Sequence, residues 1–308
     1  MRRDIPQLVV RRAKAAGAVG TEWLANLDSL ISSLEEQWRI TVSTSLTGGS
    51  HAFAAYASGE DEKEYVLKID MPESSGHADF SNAVQALKIA NGRGYVRLFA
   101  YDTEKKAYLL ERLGKPLKEL NYSTYKQLDI ICATLKKSWF QIQESHLPNG
   151  GETISWFRGF IKSTWISLSC PCPMNVIEKA YAFLESREAD NNPDEYVLIH
   201  GDAHSTNILQ YITGDSEFKL IDPEGVLYEK AYDLGVLMRE WVDEYAQEPV
   251  QKGLERCERL HNITGVNKQA IWEWGFLQCV STGLLLLKIG QEDDGKKLLK
   301  TAEAWVDV

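Results

Sequence analysis

The run Val197-Leu-Ile-His-Gly-Asp-Ala-His-Ser-Thr-Asn-Ile-Leu209, followed by Phe218-Lys-Leu-Ile-Asp-Pro-Glu224, holds residues whose types and spacing could do chemistry. Asp202, Asn207 and Asp222 lie on two segments flanked by apolar, strand-forming residues. A carboxylate base beside an Asn/Asp pair of oxygen ligands is what phosphoryl transfer from a magnesium nucleotide requires. Mg²⁺ takes a few protein oxygens and keeps its other positions for water and phosphate. The spacing His200-x-Asp202-x4-Asn207 is that of a kinase catalytic loop, where the Asp accepts the acceptor hydroxyl's proton and the Asn holds metal. Residues 208–211 and 218–221 are short and apolar, and Thr213-Gly-Asp-Ser-Glu217 between them is turn-forming. A hairpin centred near Asp215 sets Asn207 at its open end beside Asp222. Taken alone, each residue reads better as a turn cap in an ordinary hairpin. Two motifs at compatible spacing favour catalysis, with a nucleotide and Mg²⁺ as cofactors.

Several elements must position these groups. Residues 5–18 and 21–38 have helical apolar spacing, with Gly17 and Gly20 as a break between them. Strands are expected over 39–44, 51–57 and 64–69, then over 95–101 and 107–111, a sheet of about five strands. Gly48-Gly49-Ser50 connects the first two strands, and a glycine-rich connection lets backbone N–H groups approach phosphate oxygens. Lys68 ends an otherwise apolar strand one hairpin later, which places it on the nucleotide phosphates. A kinase helix would then offer that lysine a carboxylate. The helix expected over 79–91 presents Asn82, Ala83 and Gln85 instead, with Asp79 a turn earlier. Either Asp79 or another carboxylate holds Lys68, or the lysine is anchored differently. Leu110-Glu-Arg-Leu-Gly114 reads as the crossing to a second lobe, where Glu111 and Leu113 would offer backbone groups to adenine. Beyond it the pattern is mainly helical, including 122–143, 175–188, 228–248 and 268–289.

Composition narrows the function classes. At 308 residues the chain can form two lobes, each with its own core. A net charge of −10 argues against nucleic acid as partner and is compatible with a cationic acceptor. The longest apolar run, at Leu284–Leu287 with its flanks, stops at Lys288, so no membrane span is expected. Leu8-Val9-Val10 is too short for a signal core and Arg11, Arg12 and Lys14 follow it, so a cytoplasmic location is expected. The five cysteines are scattered and read as free thiols; Cys170-Pro-Cys172 lacks zinc-knuckle spacing. His200 and His204 read as packing and orienting groups for the Asp202 loop rather than as metal ligands.

His200-Gly-Asp-x-His-x-x-Asn207, Ile221-Asp-Pro223 and Ala231-Tyr-Asp-Leu234 together resemble the aminoglycoside phosphotransferase family. Trp23-Leu-Ala, Leu46-Thr-Gly-Gly-Ser50 and Asn91-Gly-Arg-Gly-Tyr-Val-Arg-Leu98 resemble its streptomycin 6-kinase and hydroxyurea phosphotransferase branch. The resemblance runs from about Leu8 to Trp241. It implies an α+β, bilobal protein-kinase-like fold, with a small N-terminal lobe built on an antiparallel sheet (1–111) and a larger, mainly helical C-terminal lobe (112–308). It implies Asp202 as catalytic base, Asn207 and Asp222 as Mg²⁺ ligands, Lys68 as phosphate contact and Asp233 as a prop for the catalytic loop. Glu224 stands where that branch often carries lysine, which makes it a residue to examine for acceptor specificity.

The expected reaction is transfer of the ATP γ-phosphate to a hydroxyl of a small molecule, with Asp243, Glu244, Glu248 and Glu273 as candidates to line a pocket for an amino or guanidino group. Solvated helix faces are the plain alternative for any one of these. A protein acceptor is disfavoured because no Ala-Pro-Glu segment follows Asp222. A kinase of an unrelated metabolite and a nucleotide-binding pseudokinase remain as competing readings. A monomer or dimer is expected.

Overall fold

The computed structural model describes residues 4–47, 49, 51–60, 62–72, 79–142, 146–212 and 217–308. In chain order the first elements are α1 (Gln7–Ala15), α2 (Gly17–Trp38), β1 (Ile40–Ser45), β2 (Ala52–Gly59), β3 (Glu64–Asp70), α3 (Phe80–Ala90), β4 (Leu98–Asp102) and β5 (Ala107–Glu111). There follow α4 (Thr124–Ser138), α5 (Gly150–Ser167), α6 (Met174–Ala189), β6 (Val197–Ile199), β7 (Ile208–Gln210), β8 (Phe218–Leu220) and β9 (Val226–Tyr228). The chain then closes with α7 (Ala231–Arg239), α8 (Pro249–Thr264), α9 (Lys268–Lys288) and α10 (Glu292–Ala304). It divides into two units, Met1–Lys115 with Leu209–Glu224, and Pro116–Ile208 with Gly225–Val308.

The first unit is built on an antiparallel five-stranded sheet of order β1-β2-β3-β5-β4. Strand alternation sends Phe53, Ala55, Leu67, Ile69 and Ala107 to one face, where Val9, Ala13, Trp23, Leu27, Ile31 and Leu34 of α1 and α2 cover them. Leu27, Ile31 and Leu34 recur at helical spacing and are fully buried, contributing about 1.5–3 kcal/mol each. Gly20 does not break the helix as expected; it lies inside α2, where a Cβ would stand 2.1 Å from the Ala13 carbonyl oxygen. A larger residue there would press against the end of α1. Tyr95 bridges to Leu220, tying the segment after α3 to β8 within this unit.

The second unit is organised round α9, of which Trp274, Phe276, Leu277, Cys279 and Val280 are wholly buried. Among the described residues α9 alone has the length and hydropathy of a membrane span, and 78% of that window is buried inside the protein, as in a core helix. Helix α7 packs on α9 through paired glycines: a Cβ at Gly235 would lie 2.6 Å from Trp274 Cβ, and one at Gly275 would lie 2.7 Å from Met238 Cβ. Gly235→Ala will therefore push the helices apart and lower stability by about 1–3 kcal/mol. Denaturant unfolding measures this, and an unchanged midpoint would refute the contact.

Two helices end earlier than their periodicity suggests. The helix expected over 122–143 stops at Ser138, because Trp139 turns to extended backbone and its indole N–H donates to buried Asp233 at 2.8 Å. The helix expected over 228–248 divides: 226–228 form β9, and α7 ends at Arg239 before Trp241 enters the left-handed region at φ 51°. The described cysteines are all free thiols.

Candidate functional site

In the first unit Lys68 and Asp70 alternate with Leu67 and Ile69 and so lie on the sheet face away from α1 and α2. Register sets Lys68 opposite Tyr108 of β5. The Lys68 ammonium is 2.9 Å from Asp222 Oδ1 and 3.3 Å from Asp70 Oδ1, and the Tyr108 hydroxyl donates to Asp70 Oδ2 at 2.8 Å. Burial presses the ammonium toward neutrality, but Asp222 and Asp70 outweigh it and hold its pKa above the usual lysine value. Of the alternatives left open by the sequence, the carboxylates on Lys68 among the described residues are thus Asp222 and Asp70. Asp79 instead caps α3, its Oδ1 accepting from the Ser81 and Asn82 amides.

Asp222 follows β8 in the left-handed conformation at φ 57°, uncommon for a residue other than glycine and a form in which strain often marks a functional site. Glu224, two residues on, is half-buried. The Glu111 carboxylate accepts from Lys219 Nζ at 2.6 Å and from the Arg97 amide at 3.0 Å, so its side chain is committed within the sheet region. Leu113 is buried, and the amide of Gly114 donates to Gln210 O at 2.7 Å. Gly49 is exposed, whereas Gly48 and Ser50 lie outside the described residues.

In the second unit Asp233, fully buried on α7, supports the loop that carries Asp202. Its carboxylate accepts from the His200 amide at 3.0 Å, the Gly201 amide at 2.8 Å and the Trp139 indole. These three donors satisfy a charge that burial would otherwise penalise heavily. Within the loop the Asp202 amide donates to His200 Nδ1 at 3.1 Å, and the Asn207 side-chain amide donates to Asp202 O at 3.1 Å. That bond uses the nitrogen of Asn207 and leaves its Oδ1 to serve as a hard oxygen donor, as Mg²⁺ requires.

The Asp202 carboxylate is held from two sides. Arg239, the last residue of α7, donates to Oδ1, and His204 Nε2 lies 3.2 Å from Oδ2. Burial alone would raise the Asp202 pKa, but Arg239 and then His204 hold it well below the usual carboxylate range. Arg239 is itself fixed by Gln278 Oε1 at 2.9 Å and Thr282 Oγ1 at 2.5 Å, both on α9. Sequence reasoning did not single out Arg239. The available signal was a lone arginine closing the apolar run Leu234-Gly-Val-Leu-Met238, hidden by the expectation that the helix continued.

Beyond Arg239 the chain turns sharply through Glu240 and Trp241. Glu240 adds negative charge near His204 and Arg239, raising the pKa of both, and its carboxylate has no hydrogen-bond or ion-pair partner among the described residues. Asp243 and Glu244 are otherwise engaged: Asp243 pairs with Lys297 at 2.8 Å, and Glu244 with Arg256 at 2.6 Å and the Thr124 hydroxyl. Glu273 is buried against Arg187.

The sequence matches the family described as aminoglycoside/hydroxyurea antibiotic resistance kinase over residues 41–290. It is 24% identical over 286 residues to streptomycin 6-kinase of Streptomyces glaucescens, covering 89% of this chain and 88% of that protein. It is 32% identical over 238 residues to hydroxyurea phosphotransferase of Kitasatospora aureofaciens, covering 75% of this chain and 66% of that protein. Among solved structures, choline kinase LicA from Streptococcus pneumoniae matches with a TM-score of 0.64 at 17% identity, over 92% of this chain and 99% of that one. The same kinase in complex with AMP matches at 0.63. The α+β, kinase-like fold expected from the sequence is borne out by these likenesses, as is the branch that its motifs resemble. The chain belongs to the aminoglycoside/hydroxyurea antibiotic resistance kinase family and is a phosphotransferase with an alcohol group as acceptor.

Proposed function

We propose that this phosphotransferase moves the γ-phosphate of ATP to a hydroxyl of an aminoglycoside-like or hydroxyurea-like acceptor. The observation that carries the reading is the Asp202 carboxylate, kept ionised by Arg239 and His204 on a loop fixed by Asp233. An ionised carboxylate in that loop can orient an acceptor hydroxyl and take its proton as the bond to phosphorus forms. Lys68 would contact the nucleotide phosphates, with Gly48, Gly49 and Ser50 nearby in sequence to offer backbone amides and Glu111 and Leu113 to meet the adenine through main-chain groups. Asn207 and Asp222 would hold Mg²⁺, which neutralises phosphate charge when bound. Asn207 Oδ1 and the Asp222 carboxylate are each oxygen donors of the kind a hard cation takes.

The acceptor's charge enters through Glu240. With Asp243 and Glu244 engaged by Lys297 and Arg256, Glu240 is the carboxylate near the base whose charge is available for an ammonium or guanidinium group. Glu224, following the Asp222 segment, remains a candidate for acceptor contact. The test is ATP consumption over streptomycin, other aminoglycosides, hydroxyurea and small amino alcohols. Turnover with an aminoglycoside or hydroxyurea is expected. Turnover confined to amino alcohols would sink the acceptor assignment while leaving phosphoryl transfer, and nucleotide binding without turnover on any acceptor would sink the reaction itself.

A further inference from the structure

A kinase lysine on the third strand is ordinarily positioned by a glutamate on the following helix, and movement of that helix makes or breaks the pair. Here α3 begins at Phe80, and its side chains at the corresponding turns, Asn82, Ala83 and Gln85, carry no charge. Asp79, just before it, spends its carboxylate oxygen on the helix's own first amides. The charge comes from elsewhere. Asp70 lies two residues after Lys68 on the same strand, so both side chains leave the same face of β3 about 7 Å apart at their α-carbons.

That carboxylate is itself oriented. One oxygen lies 3.3 Å from Lys68 Nζ, and the other accepts the Tyr108 hydroxyl at 2.8 Å. Tyr108 stands opposite Lys68 in the β3–β5 register, its ring centroid is 5.2 Å from the ammonium, and Phe80 packs against it at 4.6 Å between centroids. Lys68, Asp70 and Tyr108 therefore form a three-residue unit on two neighbouring strands, whose backbone hydrogen bonds fix their spacing. An ammonium has three N–H donors. With Asp222 and Asp70 taking two, one remains for an incoming phosphate oxygen.

We propose that Asp70, oriented by the Tyr108 hydroxyl, is the residue that positions Lys68 for the nucleotide phosphates, in place of a helix-borne carboxylate. The inference rests on the reading of Lys68 as a phosphate contact. Its consequence is that the charge positioning the phosphate-binding lysine comes from its own strand, while α3 contributes the Phe80 ring that packs on Tyr108.

Asp70→Asn keeps the size of the side chain and its ability to accept from Tyr108, and removes only the charge. Calorimetric binding of a non-hydrolysable ATP analogue with Mg²⁺, and steady-state kinetics with the acceptor that the screen identifies, are the measurements. The KM for ATP is expected to rise and kcat to fall, together lowering kcat/KM for ATP about ten- to a hundredfold, with the KM for the acceptor unchanged. Asp70→Glu should restore part of the loss. Tyr108→Phe should give a smaller loss of the same kind that is not additive with Asp70→Asn, as expected for groups acting through one another. Asp79→Asn, which preserves the cap, should leave ATP kinetics within about twofold of wild type. A thermal melt of each variant separates a positioning role from a folding defect, since a purely structural Asp70 would lower the melting temperature and leave nucleotide affinity intact. Wild-type nucleotide binding that is unchanged in Asp70→Asn, or an Asp79→Asn loss as large as that of Asp70→Asn, overturns this inference alone. A wild type that binds no nucleotide overturns it together with the reading on which it rests.

Discussion

Replacing Asp202 by asparagine is expected to lower kcat for phosphoryl transfer by about 10²–10⁴-fold, the usual contribution of a positioned general base. Nucleotide affinity should stay near the wild-type value, because the groups proposed for the phosphates and their metal, Lys68 and Asp222, belong to the other unit together with Asp70. The fold should survive as well. The loop is held by its backbone: the His200 and Gly201 amides reach Asp233, the Asp202 amide reaches His200, and Asn207 reaches the Asp202 carbonyl. None of these contacts uses the Asp202 carboxylate. An asparagine carbonyl can still accept from Arg239, and its amide can donate to neutral His204. Single-turnover phosphoryl transfer, measured beside analogue binding, tests the expectation. A variant that retained more than about a tenth of wild-type kcat would remove Asp202 from the role of base, since even modest base catalysis exceeds that factor.

The parts of the molecule legible in the sequence were those governed by local pattern. Short apolar runs over 64–69 and 107–111 gave the central strands, and helical spacing of Leu27, Ile31 and Leu34 gave the face of α2. His200, Asp202, Asn207 and Asp222 stood out because their types and spacing, between short apolar strands, match a catalytic loop and a metal-ligand pair. What the pattern could not supply was pairing at a distance. Asp70 drew no attention in the sequence; register sets Tyr108 opposite Lys68, and from there the Tyr108 hydroxyl reaches Asp70. Asp243 and Glu244 looked available on an acidic stretch, yet Lys297 and Arg256, from α10 and α8, take them. The breaks at Trp139 and Trp241 were equally hidden. Neither site has the glycine or proline that announces a helix end; both residues leave the helix where tertiary contacts outweigh propensity, Trp139 for Asp233 and the Glu240 carbonyl for Arg256. Because 228–248 read as one helix, Arg239 fell in its middle rather than at the terminus that faces Asp202.

Arg239 carries the second large effect, and its signature is in pH. Burial pushes the Asp202 carboxyl up, and the guanidinium is the largest influence bringing it down, followed by His204. In the wild type the folded-state pKa lies far below the reference value of 3.8, so Asp202 is ionised throughout the range in which the enzyme can be assayed. Arg239→Met removes the guanidinium and leaves burial opposed only by His204 and, more weakly, His200. The pKa then rises, and the acid limb of kcat/KM should move to higher pH, with activity climbing to its plateau as the base ionises. The linkage to stability has the same origin. A depressed carboxylate contributes stability above its unfolded pKa and loses it as pH falls through the folded value, so the variant forfeits stability at neutral pH. About a third of the Asp202 side chain is exposed, which reduces the cost from that of a fully buried broken pair to about 1–3 kcal/mol. Arg239→Lys separates charge from geometry. A lysine restores positive charge and should bring the acid limb most of the way back, but one ammonium cannot reproduce the planar fork that reaches Asp202, Gln278 and Thr282 together. Its kcat should therefore stay below wild type at every pH. If Arg239→Met kept the wild-type acid limb, the guanidinium would not be what holds Asp202 ionised, and His204 with His200 would have to carry that role.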